Sequence, residues 1–294
     1  MKRQIVIGSR GSRLALAQTA QVASYIEAAD PEIIVEIKKI ETTGDKRLDV
    51  TLDKIGGKGL FVKELDKALM EGEIHLAVHS LKDMPMEESD EIPVVAYSKR
   101  EDPRDVLVLP RGKQEGKYGG RIGCSSFRRR LQAERLFPGA DFVPVRGNIL
   151  TRLEKLDRGE FDALILAAAG LKRAGLSHRI SRYFSVEEIL PAAGQGILAV
   201  QGRKGQDVSF LAGYGRPASE AAALAERAFV RRLDGGCTSP VAAYAETVEG
   251  RLHLKGLFYN GTGSYFIGEK TGRMEQAEEL GILLAEEMER KYTR

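Results

Sequence analysis

The sequence predicts an α/β chain built as two successive α/β units followed by a small α+β region. Three observations carry that expectation. Short apolar runs of strand length alternate with helix-period segments through the first two thirds, as βα repeats over a largely parallel sheet do. Charge character shifts near residues 98–105, just before a new apolar run restarts the alternation. After Pro217 the order changes to an Ala-rich helix, two hairpin-like strands and a terminal helix.

Taken in order, Ile5-Val6-Ile7 reads as a buried strand, and a helix from Ser12 sets Leu16, Ala20, Ala23 and Ile26 on one face. Residues 33–40 form a strand with apolar side chains at 33, 34, 35, 37 and 40. The loop Gly56-Gly57-Lys58-Gly59 leads into a helix carrying Phe61, Leu65, Ala68 and Leu69, and strands follow at 74–79 and 92–97. The second unit opens on Val106-Leu107-Val108-Leu109. It continues with a strand at 121–123, a helix from Ser126, a strand at 142–145, a helix at 150–158 and a strand at 163–166. Residues 191–196 read as a crossing segment. The last region holds a helix at 218–233, strands at 241–248 and 251–258, and a helix at 276–292.

Hydrophobic residues make up 43% and charged residues 30%, the balance of a soluble globular protein. No run approaches the length of a membrane span, and the apolar stretch near the start is too short for a signal-peptide core. With two cysteines, Cys124 and Cys237, a disulfide framework is excluded, so a reducing, cytoplasmic setting without membrane attachment is expected. The net charge of +3 hides an asymmetry, because residues 100–182 carry +8 and the remainder −5. Arginine outnumbers lysine 27 to 18, and its planar fork suits carboxylate or phosphate. A solvated basic face or a nucleic-acid surface would share that composition. The absence of Trp and of aromatic–basic interleaving argues against nucleic acid.

The candidate chemistry lies at strand ends, where open α/β sheets bind ligands. Cys124-Ser125-Ser126-Phe127-Arg128-Arg129-Arg130 places arginines in a first helical turn that ordinarily prefers acidic residues, a conflict that a bound anion would relieve. Arg10 and Arg13 flank Ser12 at the first strand-to-helix turn. Arg146, Arg152, Lys172 and Arg173 follow later strands, so together these side chains describe a cleft for several carboxylates. Lys82-Asp83 follows the strand at 74–79, where Asp83 serves either as a general acid or as a turn former before Met84-Pro85. Cys237 sits behind Gly235-Gly236 and ahead of Pro240, on an adaptable loop. Its thiol is either a ligand-bearing group or a small hydrophobe. His75 and His79 lie on a strand, about 13 Å apart, too far to share an ion, so no metal site is expected. The Gly56–Gly59 segment lacks the spacing of a nucleotide loop.

Eight separated stretches, in order, resemble the porphobilinogen deaminase (hydroxymethylbilane synthase) family. They are Gly8-Ser9-Arg10-Gly11-Ser12, Lys54-Ile55-Gly56-Gly57-Lys58-Gly59-Leu60-Phe61, Ala77-Val78-His79-Ser80-Leu81-Lys82-Asp83 and Arg100-Glu101-Asp102-Pro103-Arg104-Asp105. Arg146-Gly147-Asn148, Gly170-Leu171-Lys172-Arg173, Gly194-Gln195-Gly196 and Gly235-Gly236-Cys237 complete the set. The resemblance implies a transferase that condenses four porphobilinogen units, with loss of ammonia, on a dipyrromethane cofactor held by a thioether to Cys237. It implies Asp83 as the essential carboxylate, and Arg10, Arg128, Arg129, Arg146, Arg152 and Arg173 as cofactor- and substrate-binding arginines. Ser12, Lys82, Ser125, Ser126 and Gln195 match further contact positions, and Phe61 an aromatic residue at the cleft.

The implied fold has two α/β domains of the type-II periplasmic-binding-protein kind, residues 1–98 with 196–214 and residues 99–195. A smaller α+β domain, 215–294, carries the cysteine loop, and a monomer is expected. Two departures stand out: Ser239 replaces an apolar residue before Pro240, and the run Leu198-Ala199-Val200-Gln201 lacks a glutamate common there. A non-enzymatic binder of a carboxylated solute would need neither Cys237 nor Asp83.

Overall fold

The computed structural model describes residues 2–43, 62–113, 120–235, 240–261 and 263–293. The chain divides into two units, Met1–Arg100 with Ile197–Glu220 and Glu101–Gly196 with Ala221–Arg294.

In the first unit, β1 (Arg3–Arg10) pairs in parallel with β2 (Ile33–Ile40) over its whole length and with β3 (Leu76–Ser80). The sheet is completed by β4 (Val94–Tyr97) and β10 (Leu198–Gly202), in the order β2-β1-β3-β10-β4. Helix α1 (Arg13–Ala29) begins at Ser12, whose Oγ accepts the Ala15 N–H at 3.2 Å and satisfies one of the donors a helix start leaves open. Val22, Ala23 and Ile26 of α1 pack on Ile5, Ile7, Leu76 and Val78. On the opposite face, Leu65, Ala68 and Leu69 of α2 (Lys63–Met70) cover Ala77 and Ile74. Both faces of β3 are therefore dry, which is why its residues are apolar without alternation.

The second unit repeats the plan. Its sheet runs β7 (Asp141–Val143), β6 (Arg121–Gly123), β8 (Ala163–Ala167), β5 (Asp105–Val108), β9 (Arg182–Tyr183). Strand β6 is parallel to β7 and β8, whereas β5 is antiparallel to β8 and β9. Likewise β10 is antiparallel to β3 and β4. The largely parallel sheets expected from the sequence are thus mixed. In each unit the antiparallel strand is the one that follows directly on the chain's entry, at Glu101 or Ile197. A strand that enters without a crossover helix is free to run against its neighbours. The second unit thus repeats the strand order of the first. Helices α3 (Phe127–Ala133), α4 (Ile149–Asp157) and α5 (Ala168–Arg173) connect its strands.

The C-terminal part of the second unit holds α6 (Pro217–Arg232), an antiparallel sheet and α7 (Ala277–Tyr292). The sheet has three strands, β11 (Ala242–Val248), β12 (Arg251–Tyr259) and β13 (Tyr265–Gly272), where the sequence suggested two. Strand β13 escaped notice because its inward positions include Gly268 and Gly272, so the apolar alternation is broken. Gly281 lets α7 approach α6 closely, since a Cβ there would stand 2.3 Å from the Ala225 carbonyl oxygen. Ala242 and Leu257 pack with Leu131 and Leu190, joining this part to the α/β sheet of the same unit. Among the described residues, no helix is long and apolar enough to cross a membrane.

Candidate functional site

Each unit has its own group of site residues, and the two groups are built on opposite principles. In the first unit, Arg10 ends β1, Ser12 caps α1, and Lys82 and Asp83 sit in a 3-10 turn directly after β3. Six polar residues, Arg10, Ser12, Gln18, His79, Ser80 and Asp83, line a cavity of about 60 Å³. Gln18 donates to Ser80 Oγ at 2.8 Å and ties α1 to the end of β3. Asp83 is exposed. His79 is 6% exposed, and burial, reinforced by the charge of Arg10, pulls its pKa down to about 4, so the imidazole beside this cavity is neutral at physiological pH. His75 fills a structural role, its Nδ1 accepting the Val6 N–H at 2.9 Å. The structure therefore brings Asp83, Arg10 and Ser12 together around one cavity, at the carboxyl ends of β1 and β3.

In the second unit two of the expected arginines are buried. Arg128 and Arg129 are 4% and 8% exposed, and both pair with Asp105, a residue to which the sequence reading gave no role. Arg128 Nη1 lies 2.8 Å from Asp105 Oδ2, and Arg129 Nη2 lies 2.8 Å from Oδ1. Arg129 Nε also donates to Oδ1 at 3.0 Å. Arg128 Nη1 also donates to the Leu190 carbonyl at 2.6 Å, and Arg129 Nη1, on the far side of its guanidinium, donates to the Ile165 carbonyl at 3.3 Å. Burial alone would raise the Asp105 pKa, but the two guanidinium charges outweigh it and hold the carboxyl well below the usual range. The dipole conflict at the start of α3 is thus met from inside the protein by Asp105. Arg130 turns outward to Glu134 and the ring of Phe127. The signal for Asp105 was a charged residue directly ahead of a fully apolar strand.

Other expected contact residues also carry internal bonds. Gln195 is 1% exposed, and its amide donates to the Pro103 carbonyl at 2.6 Å and to Asp105 Oδ1 at 2.9 Å. Ser125 Oγ donates to the Val145 carbonyl at 2.6 Å and accepts the Val145 N–H at 2.9 Å, which locks the start of the α3 turn to the end of β7. Ser126 precedes α3 without a side-chain capping bond. Arg152 Nε donates to the Gly147 carbonyl at 2.8 Å, and Arg173 Nη2 to the Gly196 carbonyl at 2.8 Å. Gly147 has φ +109°, a conformation glycine tolerates, and this bend turns the chain from Arg146 into α4, where Asn148 caps the helix. Cys124 is buried, and desolvation pushes its thiol pKa up. Phe61, Cys237 and Ser239 lie outside the described residues.

Fold and site together define an α/β protein with two like-ordered sheets that carries cationic and acidic side chains at the carboxyl ends of its strands. Residues 5–210 match the family profile described as porphobilinogen deaminase, dipyromethane cofactor binding domain, and residues 221–290 match that of the C-terminal domain of the same enzyme. The chain is 53% identical to a porphobilinogen deaminase of Acetivibrio thermocellus over 97% of its own length and 98% of the relative's. It is 54% identical to one from Alkaliphilus oremlandii over 97% and 96% of the two chains. Among solved structures, a periplasmic aliphatic sulphonate binding protein from Escherichia coli shares 14% identity at a TM-score of 0.41, covering 80% of this chain and 76% of that one. The chain belongs to the porphobilinogen deaminase family.

Proposed function

We propose that this chain condenses four porphobilinogen units head to tail, releasing ammonia at each addition, to give linear hydroxymethylbilane. This is the activity of a hydroxymethylbilane synthase, primed by a dipyrromethane cofactor joined through a thioether to Cys237. The observation that carries the reading is Asp83, an exposed carboxylate sharing one cavity with Arg10 and Ser12 in a chain matched over residues 5–210 by the cofactor-binding profile.

The residues present fit the cofactor. Each of its pyrroles bears an acetate and a propionate, and the second unit buries two guanidinium groups against a single carboxylate, leaving cationic character for an anionic group. Arg128, Arg129, Arg146, Arg152 and Arg173, with Ser125, Ser126 and Gln195, would hold or support it there together with the porphobilinogen units that join it. When bound, the dipyrromethane supplies the free pyrrole carbon to which the next unit is joined.

Asp83 acts on the incoming substrate. Loss of ammonia leaves a positively charged pyrrole, and a carboxylate at that ring stabilises the charge and takes up the proton released when the new carbon–carbon bond forms. Arg10, Ser12 and Lys82 orient the carboxylates of the same ring. Ser12 is suited to this because its Oγ accepts the capping N–H and its O–H is left to donate.

Three regions divide the work. Residues 1–98 with 196–214 carry Asp83, residues 99–195 carry the arginine group, and residues 215–294 carry Cys237. The protein acts as a cytoplasmic monomer, apart from membranes and nucleic acid. Light scattering at the mass of one chain, and no salt-dependent retention on duplex DNA, are the expected outcomes.

Intact-protein mass spectrometry tests the assignment. The purified chain is expected to carry the extra mass of two linked pyrroles, and Cys237→Ser is expected to lack it. An unmodified chain mass in active enzyme would defeat the cofactor assignment.

A further inference from the structure

Asp105 is fully buried at the first position of β5 and touches two arginines at once. It is itself held from a third side by the Gln195 amide at 2.9 Å. Gln195 follows Gly194, a left-handed residue at φ +72° whose N–H is fixed at 2.7 Å by Glu226 Oε2 from α6. The other oxygen of Glu226 accepts the Ala245 N–H of β11 at 2.6 Å. A continuous chain of hydrogen bonds therefore runs from the C-terminal sheet through Glu226, Gly194 and Gln195 to Asp105 and the arginine pair, all within the second unit.

We propose that Asp105 is a positioning residue for anionic-ligand binding: it fixes the planes of the Arg128 and Arg129 guanidinium groups and cancels one of their two charges. The inference rests on the function proposed above. Geometry supports it in three ways. A planar guanidinium binds a carboxylate well only when its fork is aimed, and a buried arginine without a counter-ion would swing toward the nearest carbonyl. Arg129 is gripped on two sides, by Asp105 at Nε and Nη2 and by the Ile165 carbonyl at Nη1, and Arg128 Nη1 is held between Asp105 and the Leu190 carbonyl, so the direction of each is set before ligand arrives. Two cations against one anion leave a single positive charge, enough to attract a carboxylate without two unbalanced cations repelling each other in a buried site.

The test is steady-state kinetics with porphobilinogen on cofactor-loaded Asp105→Glu and Asp105→Asn, with the unfolding midpoint measured alongside. Asp105→Glu keeps the charge but moves the carboxylate by one methylene. It is expected to raise KM about tenfold while kcat stays within about threefold. Asp105→Asn, which leaves both cations unbalanced, is expected to raise KM further. A purely structural residue would lower the folded, active fraction and leave KM unchanged, and an unaltered KM in Asp105→Glu would overturn the proposal. That variant decides alone if Asp105→Asn does not accumulate as folded protein. Failure of the unsubstituted protein to consume porphobilinogen would instead overturn the function reading, and the ligand named here with it.

Discussion

The first unit leaves the carboxylate proposed to react in the open, whereas the second buries two of its arginines, Arg128 and Arg129, against Asp105. Asp83 is exposed on a short turn, while Arg128, Arg129, Asp105 and Gln195 are all more than nine-tenths buried. The difference follows from what each group has to do. A carboxylate that stabilises a passing positive charge and moves a proton must reach solvent and substrate in turn, so an unencumbered side chain serves it. Groups that hold a polyanion through repeated additions gain from fixed direction, because ordering that is complete before binding need not be supplied by the ligand. Chemistry and grip are assigned to different environments.

The largest effect that would test this contrast is in the first unit. Asp83→Asn is expected to lower turnover by about 100-fold or more, within the range removal of a proton-transfer group produces. The unfolding midpoint should barely change, because an exposed side chain is replaced by one of equal size. A near-normal rate would break the contrast at its stronger end.

The second unit should respond the other way. Glu226 is fully buried and its carboxylate accepts two backbone N–H groups. Glu226→Gln replaces one acceptor oxygen by a donor facing a donor, at a cost of about 2 kcal/mol. The expected outcome is a lower urea midpoint, with residual activity following the folded fraction. A variant as stable as the parent would show that the C-terminal sheet is not anchored through this residue.

Acidity separates the groups more finely. Asp66 on α2 is half-buried, and desolvation raises its pKa to about 6. A carboxyl whose folded pKa lies above its unfolded value destabilises the fold as pH rises through that folded pKa. Asp66→Asn should therefore stabilise the protein by about 1 kcal/mol at pH 7.5, allowing for solvent screening, and by nothing near pH 4. His79 acts oppositely, since its folded pKa of about 4 lies below the ordinary value, so its contribution is full above about pH 6.5 and lost as pH falls toward 4. Asp105, held low by two arginines, loses its contribution only below the usual carboxylate range. Urea midpoints from pH 4 to 8 for parent and Asp66→Asn check these signs, and a gain that persists at pH 4 would contradict them.

Much of this was legible in the residues. Apolar runs at Ile5–Ile7 and 163–166 announce buried strands because two covered faces leave no room for polar alternation. The position of Asp83 at a strand end could be read because Lys82-Asp83 follows such a run and Met84-Pro85 stops it. Asp105 could not, since its role depends on Arg128, Arg129 and Gln195 arriving from distant parts of the chain. The same limit concealed the antiparallel course of β5 and β10, which local pattern does not encode. It also hid the internal counter-ion of Arg128 and Arg129. Strand β13 was hidden for a different reason, because two of its inward positions are glycine.

The proposed function rests on a division between Asp83, the group that acts, and Cys237, the point from which the chain grows. Intact mass spectra of cofactor-loaded parent and Asp83→Asn, taken seconds after porphobilinogen is added, read that division directly. The parent should show species heavier by successive pyrrole units. Asp83→Asn should keep the mass of its two-pyrrole primer and gain no further units on that timescale. Pyrrole addition to Asp83→Asn at the parent's rate would contradict the account.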